Sequence, residues 1–171
     1  MKVFEGTTLV ATTSAPSGTW AVALVDVPNG THTYTATATD AFGNVSPAST
    51  AISVRVDTIH PRVIRVRPVN GADEVRRGAN IRAWFSEDMR PGTITKANVR
   101  LVEARTGDRV RARLTYDPVT RKVKLNPRRD LAADTRYKAI IGTGVRDIAG
   151  NALDQKARTG NQKKVWRFTT R

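Results

Sequence analysis

The chain contains no cysteine among its 171 residues. Disulfide frameworks, thiolate metal sites and cysteine nucleophiles are therefore excluded. No run of eighteen apolar residues occurs, so we expect no membrane insertion. The start, Met1 to Gly6, lacks the apolar core of an export signal, and we expect such a signal upstream of Met1 if the protein is exported.

Acidic side chains are scarce, and they are unevenly distributed. Residues 1–57 hold two basic and four acidic side chains, a net charge of −2, so residues 58–171 hold the other 27 and 11, a net charge of +16. Such a change predicts two modules with different surfaces. We place them at residues 1–57 and 62–171, with a short linker at residues 58–61 that ends at Pro61.

Few residues are suited to catalysis. The chain has two histidines, His32 and His60, and neither lies in a recognisable nucleophile–base pattern. Glu87 and Asp88 are adjacent, so in an extended chain they point to opposite faces and form no carboxylate pair. We therefore expect no catalytic residue, no enzymatic activity and no required cofactor.

What the chain does have is many short alternating runs. In residues 32–39, Tyr34 and two alanines share one face while threonines occupy the other. Residues 109–116 alternate arginine with an inward set of Val110, Ala112, Leu114 and Tyr116. Turn signals such as Asn-Gly and Pro-Gly separate these runs, and no stretch has a sustained helical period. The pattern predicts an all-β chain of sandwich type.

The segment from Gly30 to Ser46 includes the turn Asp40-Ala41-Phe42-Gly43-Asn44, and Val56-Asp57-Thr58 follows it. This order resembles the ending of the repeated Ig-like domains of large bacterial adhesins and biofilm proteins. A full Ig-like sandwich needs roughly seven strands and about 100 residues, whereas residues 1–57 supply about five strands. We therefore expect a first module without its N-terminal strands, with an unpaired edge and exposed apolar residues.

The second stretch carries Phe85-Ser86-Glu87-Asp88-Met89, then Asp147 to Leu153, then Trp166 to Thr170. These segments resemble the Ig-like domain first associated with bacterial S-layer proteins, over residues 61–171. Together the two resemblances imply two tandem Ig-like β-sandwich modules, the first incomplete. They also imply an extracellular or cell-surface location, neighbouring Ig-like modules of a parent chain as partners, and a role as spacer or adhesive repeat.

Two turns share the pattern Asp-x-x-Gly-Asn, at Asp40–Asn44 and at Asp147–Asn151. A structural turn explains them, because the carboxylate accepts backbone N–H groups, glycine permits positive φ and asparagine tolerates it. The alternative is calcium, for which these oxygens are suitable ligands. By resemblance to adhesin repeats that hold calcium at module junctions, Asp40, Asn44 and Asp57 are the candidate ligands.

Arginines 109, 111 and 113 alternate with apolar residues, and Lys122 and Lys124 follow. If the two runs pair as a hairpin, one sheet face carries Arg109, Arg111, Arg113, Lys122 and Lys124. This face is a candidate for binding a polyanion such as a cell-wall or acidic polysaccharide. No aromatic platform accompanies it, so we expect no specific nucleic-acid binding. The alternative is a solvated face in an arginine-rich sequence.

Large aromatic residues are expected to act as anchors. We expect Trp20 and Trp166 to pack in cores, Trp84 to face outward, and Tyr137 to bond the backbone near Leu131 as a corner tyrosine. Two functional alternatives to a spacer remain: a module that binds polyanions or polysaccharides, and an accessory module of a secreted carbohydrate-active enzyme.

Overall fold

The computed structural model describes residues 1–156 and 160–171. In these residues the regular structure consists of twelve strands and one 3₁₀ turn, Pro91–Thr93. The predicted all-β class is confirmed. No helix in the described ranges has the length and apolar character needed to cross a membrane. The chain divides into two compact units, Met1–Thr58 and Ile59–Arg171.

The first unit is one four-stranded sheet. Its strands are β1 (Lys2–Glu5), β2 (Thr8–Thr12), β3 (Gly30–Thr37) and β4 (Ile52–Val56). They are antiparallel, in the order β2-β1-β3-β4. Threonines and other β-branched residues suit this pleated, half-exposed surface.

The first unit has little core. All its residues are described, and its buried hydrophobic residues are Val3 and Tyr34. Ile52 and Val54, on the same face as Tyr34, are 61% and 42% exposed. Trp20 is 39% exposed, so the expectation that it packs in a core was wrong. No second sheet within the unit covers this face, which leaves the ring at a surface cavity beside Tyr34 and Ile52.

The second unit is a sandwich of two four-stranded sheets. The first sheet has the order β5-β7-β10-β9, and the second has the order β6-β12-β11-β8. The strands are β5 (Val63–Arg67), β6 (Ala72–Val75), β7 (Ile81–Phe85), β8 (Val99–Glu103), β9 (Ala112–Asp117), β10 (Lys122–Pro127), β11 (Arg136–Ile141) and β12 (Lys164–Thr170).

Alternate residues of both sheets meet in one core. Trp166, Phe85 and Phe168 are each 1% exposed and are the largest of its fully buried side chains. Val110, Ala112, Leu114 and Tyr116 all pack against this core, as their alternation predicted. Tyr137 lies in it as well, and its hydroxyl accepts a hydrogen bond from the backbone N–H of Ala132 at 2.9 Å. The expected corner tyrosine and the buried Trp166 are therefore confirmed.

The residues predicted as a linker are tied to the units that flank them. Thr58 donates from its N–H and its hydroxyl to the Asn29 Oδ1, at 2.7 and 3.0 Å, within the first unit. In the second unit, the His60 Nδ1 lies 2.8 Å from the Ala152 carbonyl oxygen, and the Pro61 carbonyl accepts the Asp154 N–H at 3.0 Å.

Candidate functional site

The arginine run at residues 109–113 does not form one strand. Arg109 bridges Val102 of β8, and the Val110 N–H donates to the Leu101 carbonyl at 2.9 Å. Arg113, by contrast, pairs with Asn126 of β10 in the other sheet. The chain crosses between the sheets at Arg111, so the five predicted polyanion-binding residues are divided between two surfaces.

The first surface is the outer face of the sheet β5-β7-β10-β9. It carries Arg113, Lys122 and Lys124 from the predicted set. Lys124 pairs with Arg82, which pairs with Arg67. We call Arg67, Arg82 and Lys124 the basic row. Neighbouring strands are about 4.8 Å apart, and like charges directly opposite each other are destabilising, so this row concentrates positive potential on an open face.

Next to the basic row, β7 presents Trp84 on the same outer face, as expected. The Arg65 guanidinium lies 4.8 Å from the centre of the Trp84 ring. This distance is typical of a cation–π contact. The exposed face of the ring is thus covered by a cation of its own sheet and offers no free stacking surface.

The second surface is a groove along the edges of β8 and the start of β9. Arg109 and Arg111 line it, together with three cations that the sequence did not single out as a set: Lys96, Arg100 and Arg128. We call these five residues the basic groove. Arg100 belongs to β8 and Lys96 to the turn before it, so neither is close in sequence to the arginine run. Only the alternation of Arg100 with Val99 and Leu101 indicated that its side chain faces outward.

The candidate calcium ligands do not lie together. Asp40 follows the C-terminal end of β3, whereas Asp57 follows Val56, which pairs with Gly30 at the start of β3. With a rise of about 3.3 Å per residue, the length of β3 alone separates them by more than about 20 Å. Asp57 has a 14% exposed side chain and lies 3.6 Å from Arg55 Nη2. Asp40 and Asp57 therefore cannot share one cation.

The Asp40 carboxylate is engaged by its own turn. Its Oδ1 accepts the N–H groups of Phe42 and Asn44 at 2.9 and 2.8 Å, and its Oδ2 accepts the Asn44 side-chain amide at 2.8 Å. These hydrogen bonds lower the pKa of Asp40. The one from the Asn44 side chain has the largest effect, and those from the backbone add to it. This arrangement is that of a structural turn.

The second Asp-x-x-Gly-Asn turn has the same construction. Asp147 is 1% exposed, and its Oδ1 accepts the N–H groups of Gly150 and Asn151 at 2.6 and 2.8 Å. The nearby Asp154 is also buried, and its Oδ1 accepts the N–H groups of Lys156 and Gln162. These hydrogen bonds lower the pKa of Asp154, and the one from the Lys156 N–H has the largest effect. Both buried carboxylates thus fix loops.

Both histidines hydrogen-bond to carboxylate or carbonyl oxygens, and neither contacts a serine or threonine hydroxyl in these hydrogen bonds. His32 Nδ1 lies 2.6 Å from Glu5 Oε1, and its Nε2 lies 2.8 Å from the Pro28 carbonyl oxygen. The hydrogen bond with Glu5 is the main cause of a raised His32 pKa. His60 contacts the Ala152 carbonyl oxygen. The His32–Glu5 contact has the form of a base with its orienting carboxylate, but the other ring nitrogen faces the Pro28 carbonyl oxygen and not a nucleophile.

Some solved structures are similar to part of the chain at low sequence identity. The N-terminal part of the bacterial S-layer protein SbsC is 13% identical, with a TM-score of 0.47 over 66% of this chain and 24% of that one. The methionine-rich copper resistance protein PcoC from Escherichia coli is 17% identical, with a TM-score of 0.47 over 66% of this chain and 100% of that one. A longer SbsC structure is covered over 14% of its length. No match was found among curated proteins.

Two family matches together span nearly the whole chain, and each has the same description, bacterial Ig-like domain. One covers residues 1–58 and the other covers residues 57–170. The resemblances drawn from the sequence are thereby confirmed. Domains of these families are generally non-catalytic. The chain belongs to the bacterial Ig-like domains.

Proposed function

We propose that this chain is a non-catalytic spacer in a longer bacterial surface protein, carrying force between the neighbouring Ig-like modules of its parent chain. Membership of the bacterial Ig-like domains supports a general surface module. Fold alone does not assign a role, so the proposal rests on how the second unit is connected to its two ends.

The observation that carries the proposal is the pairing of β6 with β12. These are the only parallel neighbours among the described strands, with Phe168 opposite Ala72 and Thr170 opposite Val75. Strand β6 lies near the start of the second unit and β12 at its end. Force that pulls the two ends apart acts first on β5, which is paired with β7, and then along the parallel pair of β6 and β12. The hydrogen bonds of that parallel pair share the load instead of breaking one at a time.

Further hydrogen bonds extend the same contact. The Gly71 N–H donates to the Arg167 carbonyl at 2.8 Å, and the Arg171 N–H donates to the Val75 carbonyl at 3.1 Å. Between them, the Arg167 N–H donates to the Asn70 side-chain oxygen at 3.0 Å. We call this set, from Asn70 to Val75 against Arg167 to Arg171, the terminal clamp.

Single-molecule pulling on the full chain tests the proposal. The second unit, residues 59–171, should unfold in one event that lengthens the chain by about 400 Å or slightly less, at up to 3.6 Å per extended residue. Asn70→Ala removes one acceptor of the terminal clamp and should lower the unfolding force. The matched control Asn126→Ala, at an exposed position of β10, should not.

Gradual extension without a distinct event for residues 59–171 would show that the unit does not bear load. Equal unfolding forces for the Asn70 and Asn126 variants would remove the terminal clamp as the reason for any resistance. Neither measurement needs a ligand, so both are independent of any binding property of the chain.

A further inference from the structure

The basic groove is a concave surface where the edges of the two sheets of the second unit meet. Its cavity has a volume of about 470 Å³. A second cavity of about 630 Å³ adjoins it, because both share Val110, Arg111 and Arg128 in their walls. Together they form an extended depression rather than a compact pocket, a shape that suits a chain-like ligand.

The charge in this groove is concentrated and uncompensated. All five charged side chains that line the first cavity are cationic, and the second cavity adds Arg129 and one acid, Asp130. Within residues 1–156 and 160–171, the ion pairs found at 4.0 Å or less do not include any member of the basic groove. The groove therefore attracts an anionic ligand.

Two of the guanidinium groups are held in place by neutral partners. Arg100 Nη1 donates to the Ala97 carbonyl at 2.9 Å, and Arg109 Nη2 donates to the Lys96 carbonyl. A carbonyl fixes the side chain without cancelling its charge, and each guanidinium has five N–H donors, so others stay available. These arginines are thus positioned before a ligand arrives, which lowers the entropic cost of binding.

Between the cations, the half-buried side chains of Val110 and Ala112 give the groove an apolar wall. A pyranose ring presents C–H groups on its faces and, in a uronic acid, a carboxylate at its edge. The ring faces fit the apolar wall, and the planar fork of arginine matches a carboxylate in two hydrogen bonds. A polyphosphate offers no apolar face for this wall.

Single-stranded nucleic acid fits the groove less well. Binding of this kind relies on aromatic side chains on which bases stack. The residues that line the first cavity include no aromatic, and those of the second include Tyr137, which is 4% exposed and has its ring against Phe168 in the core. We propose that the basic groove binds an acidic polysaccharide, a chain of pyranose rings bearing carboxylates.

The test is calorimetric titration of the full chain with polygalacturonate oligosaccharides, compared with the same oligosaccharides fully methyl-esterified. The groove variant is Arg109→Gln with Arg111→Gln and Arg128→Gln. The matched control is Arg67→Gln with Arg82→Gln and Lys124→Gln, which removes the same charge from the basic row on the outer sheet face. Urea unfolding of each variant establishes that it is folded.

The wild-type chain should bind the acidic oligosaccharide and not its ester. The groove variant should lose about tenfold or more in affinity, since three charged contacts are removed, while the control loses much less. The dependence of log K on log salt should become shallower by about 2 in the groove variant, at roughly 0.7 per charge as measured for flexible polyanions. Replacing the same three arginines by lysine should restore part of the affinity.

The proposal fails if the wild-type chain does not bind the acidic oligosaccharide. It also fails if both triple variants lose affinity equally, since that would indicate non-specific charge attraction. Equal binding of the esterified polymer, or tighter binding of single-stranded DNA or polyphosphate, would assign the groove to another chemistry. None of these results affects the proposed role of the terminal clamp in carrying force.

Discussion

At the scale of single residues, the corner formed by Tyr137 joins the core to a loop. The ring is buried and stacks against Phe168, with centroids 5.8 Å apart, while the hydroxyl accepts the Ala132 N–H. Tyr137→Phe keeps the ring and removes only that acceptor. We expect a loss of about 1 kcal/mol in the free energy of unfolding of the second unit, measured by urea unfolding followed through the NMR signals of β11.

Tyr116→Phe provides a parallel for comparison, because its hydroxyl accepts the Met89 N–H at 3.0 Å in the same core. An unchanged urea midpoint for Tyr137→Phe would show that water replaces the lost acceptor. In that case the corner contact would orient the loop without stabilising the unit.

His32 makes the first unit sensitive to pH. Its two ring nitrogens can both donate, to Glu5 and to the Pro28 carbonyl, only in the protonated form. The hydrogen bond with Glu5 is the largest cause that raises the His32 pKa above 6.5. The pKa of His32 is higher in the folded state than in the unfolded state. The stabilisation of the first unit by protonated His32 is therefore complete below pH 6.5, and it is lost as pH rises through the folded-state pKa.

An NMR titration of the His32 ring should therefore give a midpoint above 6.5, and amide exchange in β3 should accelerate as pH passes through it, after correction for intrinsic rates. Glu5→Gln removes the carboxylate and should return the midpoint toward 6.5. A wild-type midpoint at or below 6.5 would contradict the charged hydrogen bond.

At the scale of elements, side-chain alternation predicted strands β3 and β9 and the face of each that is turned inward. Residues 110, 112, 114 and 116 point inward because apolar side chains at a period of two can all be buried on one side. The crossing at Arg111 was not predictable in the same way. Parity stays the same whether Val110 hydrogen-bonds to β8 or to β10, so the change of partner sheet depends on contacts distant in sequence.

The same limit applies to the basic groove. Lys96 and Arg100 are separated by about ten or more residues from Arg109 and Arg111, and Arg128 follows β10 of the other sheet. Composition indicated that cations are abundant, but the concave surface arises only when the sandwich edge closes.

The loop after β11 depends on a close approach at Gly144. A Cβ at this position would lie 2.5 Å from the Asn98 Oδ1, whereas one at Gly142 would meet its nearest atom at 3.6 Å. Asn98 is itself held by donating from Nδ2 to the Thr93 carbonyl at 2.8 Å. Gly144→Ala should force Asn98 away and cost about 1 kcal/mol or more, and Gly142→Ala should cost less.

Urea unfolding of Gly144→Ala, Asn98→Ala and the double variant gives the coupling between the two positions. The double variant should be less destabilised than the sum of the single ones, because the contact that Gly144→Ala disrupts is already absent. Simple additivity would show that the added methyl group acts elsewhere in the loop.

At the scale of the whole molecule, the two units differ in how much of their sheet surface is buried. In the second unit, both sheets contribute to one core that includes Trp166, Phe85 and Phe168. In the first unit, Ile52 and Val54 are largely exposed on the face where Val3 and Tyr34 are buried. The sequence predicted an incomplete first module with about five strands; the structure has four, which supply too few inward faces to close a sandwich.

This contrast should be measurable as a difference in local stability within one chain. Amides open with free energies that follow the buried apolar contacts around them. Central strands of both units are hydrogen-bonded on both sides, so comparing β1 and β3 with β10 and β11 separates sheet burial from edge effects. We expect hydrogen exchange in β10 and β11 to be slower by about a hundredfold, equivalent to roughly 3 kcal/mol. Equal protection in the two pairs of strands would mean that the uncovered face of the first sheet carries no energetic cost, and the contrast in burial would then have no bearing on stability.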